Sequence, residues 1–261
     1  MKVIVGGCSV SNDFNQSLHI HEVYGQILAN QIGADYVHHS VDAGSNHRIW
    51  KKITQMVMPN ALTTRNKNQA REGAITKDDI VIIQYTHITR DEFFSVNVPN
   101  SNVPNSVRVP RGWSDECDVY DNGNIIRFKI NSPQKPQRYK HQKKFFELKE
   151  KYFTSETFDK ERFEYNHYLF HNTMMSKGIK VVYLVSPNRP LNNYSWDYRH
   201  LFNKNGELHL TLLEDNDEYL RHCDGSTDHY HFSKKGHKYV AIELEKFIKE
   251  KGWIQYTDSN K

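Results

Sequence analysis

At 261 residues, with 37% hydrophobic and 25% charged side chains, the chain is long enough for one large domain or two small ones, with a core beneath a very polar surface. Its 35 basic and 31 acidic residues leave a net charge of +4 with histidine neutral. That near balance argues against a dedicated nucleic-acid binder, which carries a concentrated basic face.

Cys8, Cys117 and Cys223 are widely spaced and offer neither a CxxC pair nor a disulfide framework. The N-terminus lacks the apolar run of a signal peptide, and no segment approaches a membrane span. A soluble, cytoplasmic protein with reduced thiols and no membrane or nucleic-acid partner is expected.

Taken in chain order, Lys2 to Val5 reads as a buried strand. Ile20, Val23, Tyr24, Ile27, Leu28 and Ile32 then recur at helical spacing, and Gly33 supplies the stop. Asp35 to Ser40 reads as a second strand. After Gly44-Ser45-Asn46, the positions Ile49, Trp50, Ile53, Met56 and Val57 mark a second amphipathic helix, and Asp79 to Tyr85 is the clearest buried strand.

Between Glu92 and Pro136 the pattern changes to Asn/Pro repeats and turn signals, and Asn122-Gly123 ahead of Ile125-Ile126 predicts a hairpin. This stretch, about 92–136, reads as an insertion at the rim of the sheet within one domain over 1–257. Two helices are expected from Tyr139 to Lys177, carrying Phe145, Leu148, Phe158, Phe163, Phe170 and Met174. Lysines from Lys140 to Lys151 are interleaved with Glu147 and Glu150, which suits a solvated face. Ile179 to Ser186 is another strand, and Val240, Ala241, Leu244, Phe247 and Ile248 mark the last helix, with His237 in its first turn.

Continuous apolar strands alternating with helices imply an α/β fold with a parallel sheet covered on both faces. Ligands in such sheets sit beyond the carboxyl ends of the strands. Ser9, Gly44 and the segment Tyr85-Thr86-His87 all fall at or just past those ends.

Two of these places carry chemistry. In Asp228-His229-Tyr230-His231, an Asp three residues before a His can accept a hydrogen bond from one ring nitrogen, fixing the tautomer and leaving the other nitrogen basic. A hydroxyl to complete the set stands at the opposite end, where Val3-Ile4-Val5-Gly6-Gly7-Cys8 runs into Ser9. A serine there also suits a helix cap or a turn. Acyl transfer needs all three groups, together with donors for the developing oxyanion.

The constellation resembles the SGNH/GDSL hydrolase superfamily through Gly7-Cys8-Ser9-Val10, Ala43-Gly44-Ser45-Asn46 and Asp228-x-x-His231, in that order along nearly the whole chain. The resemblance implies a flavodoxin-like three-layer α/β/α sandwich with a mostly parallel central sheet. It also implies Ser9 as nucleophile, His231 as base and Asp228 as its orienting partner. The backbone N–H groups of Ser9 and Gly44 would form the oxyanion hole, and no cofactor is implied.

The sequence departs from the family in two places. Cys8 replaces the usual Asp before the serine. The third block, Gly-x-Asn-Asp in the family, reads Gln84-Tyr85-Thr86-His87-Ile88-Thr89-Arg90, without an asparagine. His87 and Asn46 are the candidate replacements for that donor, and Tyr85 and Arg90 are candidate substrate contacts. Arg90 equally suits a structural ion pair with Asp91 or Glu92.

His222, Cys223, Asp224, Asp228, His229 and His231 raise a metal reading, but HExxH spacing and paired CxxC are both missing. No metal is expected. The reading is therefore a serine hydrolase acting on a small-molecule or glycan ester, such as an O-acyl group on a carbohydrate. An O-acyltransferase on the same site and a non-catalytic binding module are the alternatives.

Overall fold

The computed structural model describes residues 1–7, 22–40, 46–58, 74–85, 91–94, 117–121, 124–126, 152, 155–185, 209–211, 232 and 234–254. Three nearly unbroken apolar runs form the middle of its main sheet: β1 (Lys2–Gly6), β3 (Ile80–Gln84) and β7 (Lys180–Val185). β2 (Asp35–His38) flanks β1 and β8 (His209–Thr211) flanks β7, so the described sheet has five parallel strands in the order β2-β1-β3-β7-β8. Val3 pairs with Ile80, and Ile80 in turn with Lys180.

Side chains alternate across a strand, and here both sets are buried. Val3, Val5, Ile80, Ile82, Val182 and Leu184 face α1 (Tyr24–Ile32) and α4 (Lys234–Glu250). Ile4, Val81, Ile83, Val181 and Tyr183 face α2 (Asn46–Val57) and α3 (Glu156–Ser176). Two helices on each side make the three-layer α/β/α sandwich that the sequence implies. The strand order is that of a doubly wound sheet whose direction of winding reverses between β1 and β3.

A separate antiparallel sheet joins β4 (Asp91–Phe94), β5 (Cys117–Asp121) and β6 (Asn124–Ile126). Asp121 pairs with Asn124 across Asn122-Gly123, which is the expected hairpin.

Helix ends follow local chemistry. Gly33 takes φ 66°, a left-handed conformation that only glycine adopts freely, and Ala34 N–H returns to Ala29 O at 2.9 Å. Ser155 caps α3 by accepting from Phe158 N–H at 3.1 Å.

The structure differs from the sequence reading in three details. α1 begins at Tyr24, because Val23 is an extended N-cap residue with its side chain buried in the core; Ile20 lies outside the described residues. β2 ends at His38, two residues early. β3 begins after Asp79, which is held in a turn. Phe158 is 49% exposed. It stands five residues before Phe163, which turns it roughly 140° around the helix from the buried row Phe163, Phe170 and Met174. Phe145 and Leu148, and the first of the two helices expected there, lie outside the described residues.

Asp79 locks the start of the sheet. Its carboxylate accepts from Lys2 N–H at 2.8 Å, Thr76 N–H at 2.9 Å and the Thr76 hydroxyl at 3.0 Å, and Lys2 Nζ stands 3.6 Å away. Burial by itself would raise the pKa. The backbone donors, the hydroxyl and the ammonium outweigh it and hold the carboxyl below its ordinary 3.8. A depressed carboxyl contributes stability that is complete above the unfolded value and lost as pH falls through the folded one. Asp79→Ala is expected to cost about 2–3 kcal/mol at pH 7 by stranding buried donors. In urea unfolding from pH 7 to pH 2, the gap between wild type and variant should close below pH 3.8. A gap independent of pH would show that the carboxylate charge is not what the turn uses.

Candidate active site

The carboxyl edge of the sheet is assembled around the ends of β1 and β3. β1 closes on Gly6 and the buried Gly7, two residues before Ser9. A Cβ added at Gly6 would stand 3.1 Å from Ile49 Cγ2 and 3.3 Å from Ile53 Cγ1. The missing side chain therefore lets α2 lie directly on the end of β1. Asn46, buried at the first position of α2, is one turn from that contact.

On the opposite face, Tyr24 is the centre of a buried knot. Its N–H donates to His237 Nδ1 at 3.2 Å and its hydroxyl donates to Gln84 Oε1 at 3.1 Å. The ring stacks on His237 with centroids 5.9 Å apart and meets Phe232 edge-on at 6.3 Å. Phe232 in turn meets His237 edge-on at 5.5 Å. An accepting Nδ1 puts the proton of the neutral imidazole on Nε2. The knot ties the first residue of α1 to the last residue of β3 and the first turn of α4. Phe232 is the residue directly after His231, and α1 is the first described element after Ser9.

Below the end of β3 lies a second buried lattice. Tyr85 directly follows that strand, and its hydroxyl is hydrogen-bonded to His167 Nδ1. The Tyr85 ring stacks on Tyr183 at 5.7 Å with 6° between planes, and Trp50 and Phe163 close on its edges. His171 Nδ1 meets the Tyr183 hydroxyl at 2.9 Å. Rings from α2, the end of β3, α3 and β7 thus form one floor, in which Tyr85 pairs with His167 and Tyr183 with His171, while Trp50 Nε1 is buried without a hydrogen-bond partner among the described residues.

Just past β2, His39 lies within electrostatic reach of Lys52 on α2. Burial, then Lys52, then His38 depress His39 from 6.5 to about 3, so its imidazole is neutral at physiological pH. Burial and then Arg48 bring Lys52 from 10.5 down to about 7. A group that changes charge so close to neutrality is unusual for a lysine.

Of the residues singled out in the sequence, Asn46 and Tyr85 are placed, at the start of α2 and the end of β3. Ser9, Gly44, His87, Arg90, Asp228 and His231 lie outside the described residues. The sequence reading missed the roles of His167 and His237, although each had a signal. His237, Val240, Ala241, Leu244 and Ile248 follow helical spacing, as do Phe163, His167, Phe170 and Met174. A histidine within such a row is buried and needs a polar partner. Among the described residues no three His, Cys, Asp or Glu side chains gather as a metal site, and no helix is long and apolar enough to cross a membrane.

The arrangement defines a doubly wound α/β/α protein in which the starts of α1 and α4 meet the end of β3 at one edge of the sheet. No family model and no curated protein matches the chain. Among solved structures it is similar to one from Desulfitobacterium hafniense assigned to the lipolytic G-D-S-L family, at 12% identity and a TM-score of 0.47, covering 94% of this chain and 98% of that one. It is similar also to protein YXIM of Bacillus subtilis, at 11% identity and a TM-score of 0.47, covering 96% of this chain and 56% of that one. A third, assigned as an acylhydrolase from Bacteroides fragilis, is 10% identical with a TM-score of 0.43, covering 96% of this chain and 87% of that one.

Proposed function

We propose that the chain is a divergent ester hydrolase of the SGNH/GDSL kind. The observation that carries this reading is the knot of Tyr24, Gln84, Phe232 and His237. It joins the start of α1, the first described helix after Ser9, to Phe232, the residue after His231, and to the end of β3.

In this reading Ser9 Oγ attacks the acyl carbon while His231 takes its proton, and Asp228 holds the imidazole and steadies its positive charge. The carbonyl electron pair moves onto oxygen, held by the N–H groups of Ser9 and Gly44. His87 and Asn46 are the donors offered in place of the missing third-block asparagine. Collapse of the intermediate expels the alcohol, which takes its proton from His231. Water, activated by the same base, then releases the acid.

Tyr85 supplies the floor of the substrate cleft and Arg90 its polar rim. The substrate is a small-molecule or glycan ester, with a carbohydrate O-acyl group as the favoured case. An acceptor hydroxyl in place of water would make the same site an O-acyltransferase. The reading places the protein in the cytoplasm, with residues 92–136 inserted at the rim of a single domain.

A fluorophosphonate probe tests the nucleophile directly. The folded wild-type chain is expected to be labelled in a gel assay, and Ser9→Ala is expected to lose the label. The absent third-block asparagine favours a binding module that keeps the fold without the chemistry. A folded chain that never reacts with the probe would establish that module in place of the hydrolase.

A further inference from the structure

The side of α2 turned towards β2 collects basic groups. Ile49 and Ile53 lie on Gly6 at the end of β1, and Trp50 turns towards Phe163 of α3, with ring centroids 5.4 Å apart. Arg48 and Lys52 stand two residues either side of Trp50, roughly 160° round the helix from it. With β3 on one side of β1 and β2 on the other, they overhang the β2 flank. Past β2, His39 N–H donates to Val5 O at 2.8 Å and so continues the ladder beside the end of β1. Val37 packs with the α2 layer, and His39, two residues on, shares its face. The charges reach one another: Lys52 and then His38 act on His39, and Arg48 acts on Lys52. All four groups are half-buried.

Like charges one turn apart on a helix oppose folding, and partial burial of an ammonium opposes it further. Such a cluster at the carboxyl edge, where sheets of this kind take their ligands, marks a binding site. We propose that Arg48, Lys52 and His39 form a subsite for a phosphate monoester on the substrate, beside the strand end that leads to Ser9. Its place in an ester cleft rests on the hydrolase reading above; the phosphate contact itself does not. The Arg48 guanidinium offers a planar fork for two oxygens, the Lys52 ammonium a point charge, and the neutral His39 imidazole one N–H. Two cations match a dianion, and a phosphate monoester, with a second pKa of about 6, is one at neutral pH. A carboxylate would leave one cation unmatched. The ester is therefore an acylated small molecule that also carries phosphate, such as a sugar phosphate.

Binding is linked to a proton. Lys52 is half charged at a pH of about 7, and a bound dianion draws it back to the ammonium. Facing it among the described residues are Arg48 from its own helix and His39, with His38 beyond, from the end of β2; β1 brings Val5 and Gly6, which do not titrate. Affinity should therefore fall up to about tenfold per unit as pH rises above 7.

Isothermal titration of methyl phosphate into the full chain, at constant ionic strength, reads the outcome. The wild type should bind with a Kd of about 1 mM or tighter at neutral pH, and acetate at least about tenfold more weakly. Lys52→Gln should weaken the phosphate at least about tenfold and flatten the pH dependence. Arg48→Lys, which keeps the charge and loses the fork, should weaken it by about three- to tenfold. Without phosphate, Lys52→Gln should melt no lower than wild type, because a like-charge pair is relieved.

A wild type that ignores methyl phosphate or takes acetate equally well, or binding indifferent to Lys52→Gln, would overturn the proposal. A Lys52→Gln chain that melts well below wild type in phosphate-free buffer would make Lys52 a structural ion-pair partner and overturn it equally. Ser9→Ala should bind methyl phosphate as the wild type does. A chain labelled by the fluorophosphonate probe that binds no phosphate therefore sinks this proposal alone, and one that binds phosphate without labelling sinks the hydrolase reading alone.

Discussion

Ser9→Ala should lower kcat/KM for a short-chain aryl ester by at least about 10³-fold, because the bond-forming atom is gone and only oxyanion donors and binding remain. His231→Ala should cost nearly as much, since a serine hydroxyl without a base is a poor nucleophile at neutral pH. Asp228→Ala should fall short of both by about 10- to 100-fold, because it removes the orienting group and leaves nucleophile and base in place. The three losses should not add: the double variant Ser9→Ala/His231→Ala should be no slower than the worse single one. Steady-state kinetics on purified variants with matching circular dichroism spectra gives the comparison. An Asp228→Ala variant with full activity would remove that residue from the proposal. Equal activity of Ser9→Ala and wild type would remove the mechanism.

A large expected effect on stability falls on a glycine inside a helix. Replacing Gly with Ala in an exposed helix interior is favourable by about 1 kcal/mol, because glycine loses more backbone freedom on folding. At Gly25 the sign should reverse. A Cβ there would stand 2.5 Å from Val5 Cγ2 and 2.7 Å from Tyr36 Cε2, closer than real atoms approach. Val5 is fully buried in a central strand and has nowhere to retreat. α1 would have to lift from β1 and β2, losing contacts along its buried face. Gly25→Ala is expected to lower the unfolding free energy by about 2–3 kcal/mol, and Gly25→Val by more. Urea unfolding at pH 7 measures both. A Gly25→Ala variant as stable as wild type would mean that the helix rides higher on the sheet than these distances state.

Strands were the easiest part to read in the residues. Ile80–Gln84 and Lys180–Val185 are apolar on both faces, which only a covered parallel sheet explains. α2 was equally plain, because Ile49, Trp50, Ile53 and Met56 define one side of a helix and nothing competes with them. α3 was harder, since apolar residues surround it and periodicity does not say which row meets the sheet. Phe158 belongs to a row that faces outward, while Phe163 and Phe170 face the sheet. The start of α1 was hidden too, because Val23 is apolar at helical spacing yet extended in the chain.

At the site, the spacing of Asp228 to His231 and the strand leading to Ser9 were visible because neighbours in sequence carry them. Contacts between distant residues left no such trace. Tyr85 meets His167 across 82 residues. No local pattern states which of 15 histidines a given tyrosine will find. What a sequence does signal is that a histidine in an apolar row needs some partner, a weaker statement than naming it.

The hydrogen bond from Tyr24 N–H to His237 Nδ1 joins groups 213 positions apart. A ribosome adding roughly 5–20 residues per second delivers the acceptor roughly 10–40 s after the donor. From the synthesis of Ile82 until α4 is made, the layer formed by Val3, Val5, Ile80 and Ile82 has, among the described helices, α1 alone over it. The nascent polypeptide therefore emerges with an oily, half-roofed surface that the last helix arrives to close.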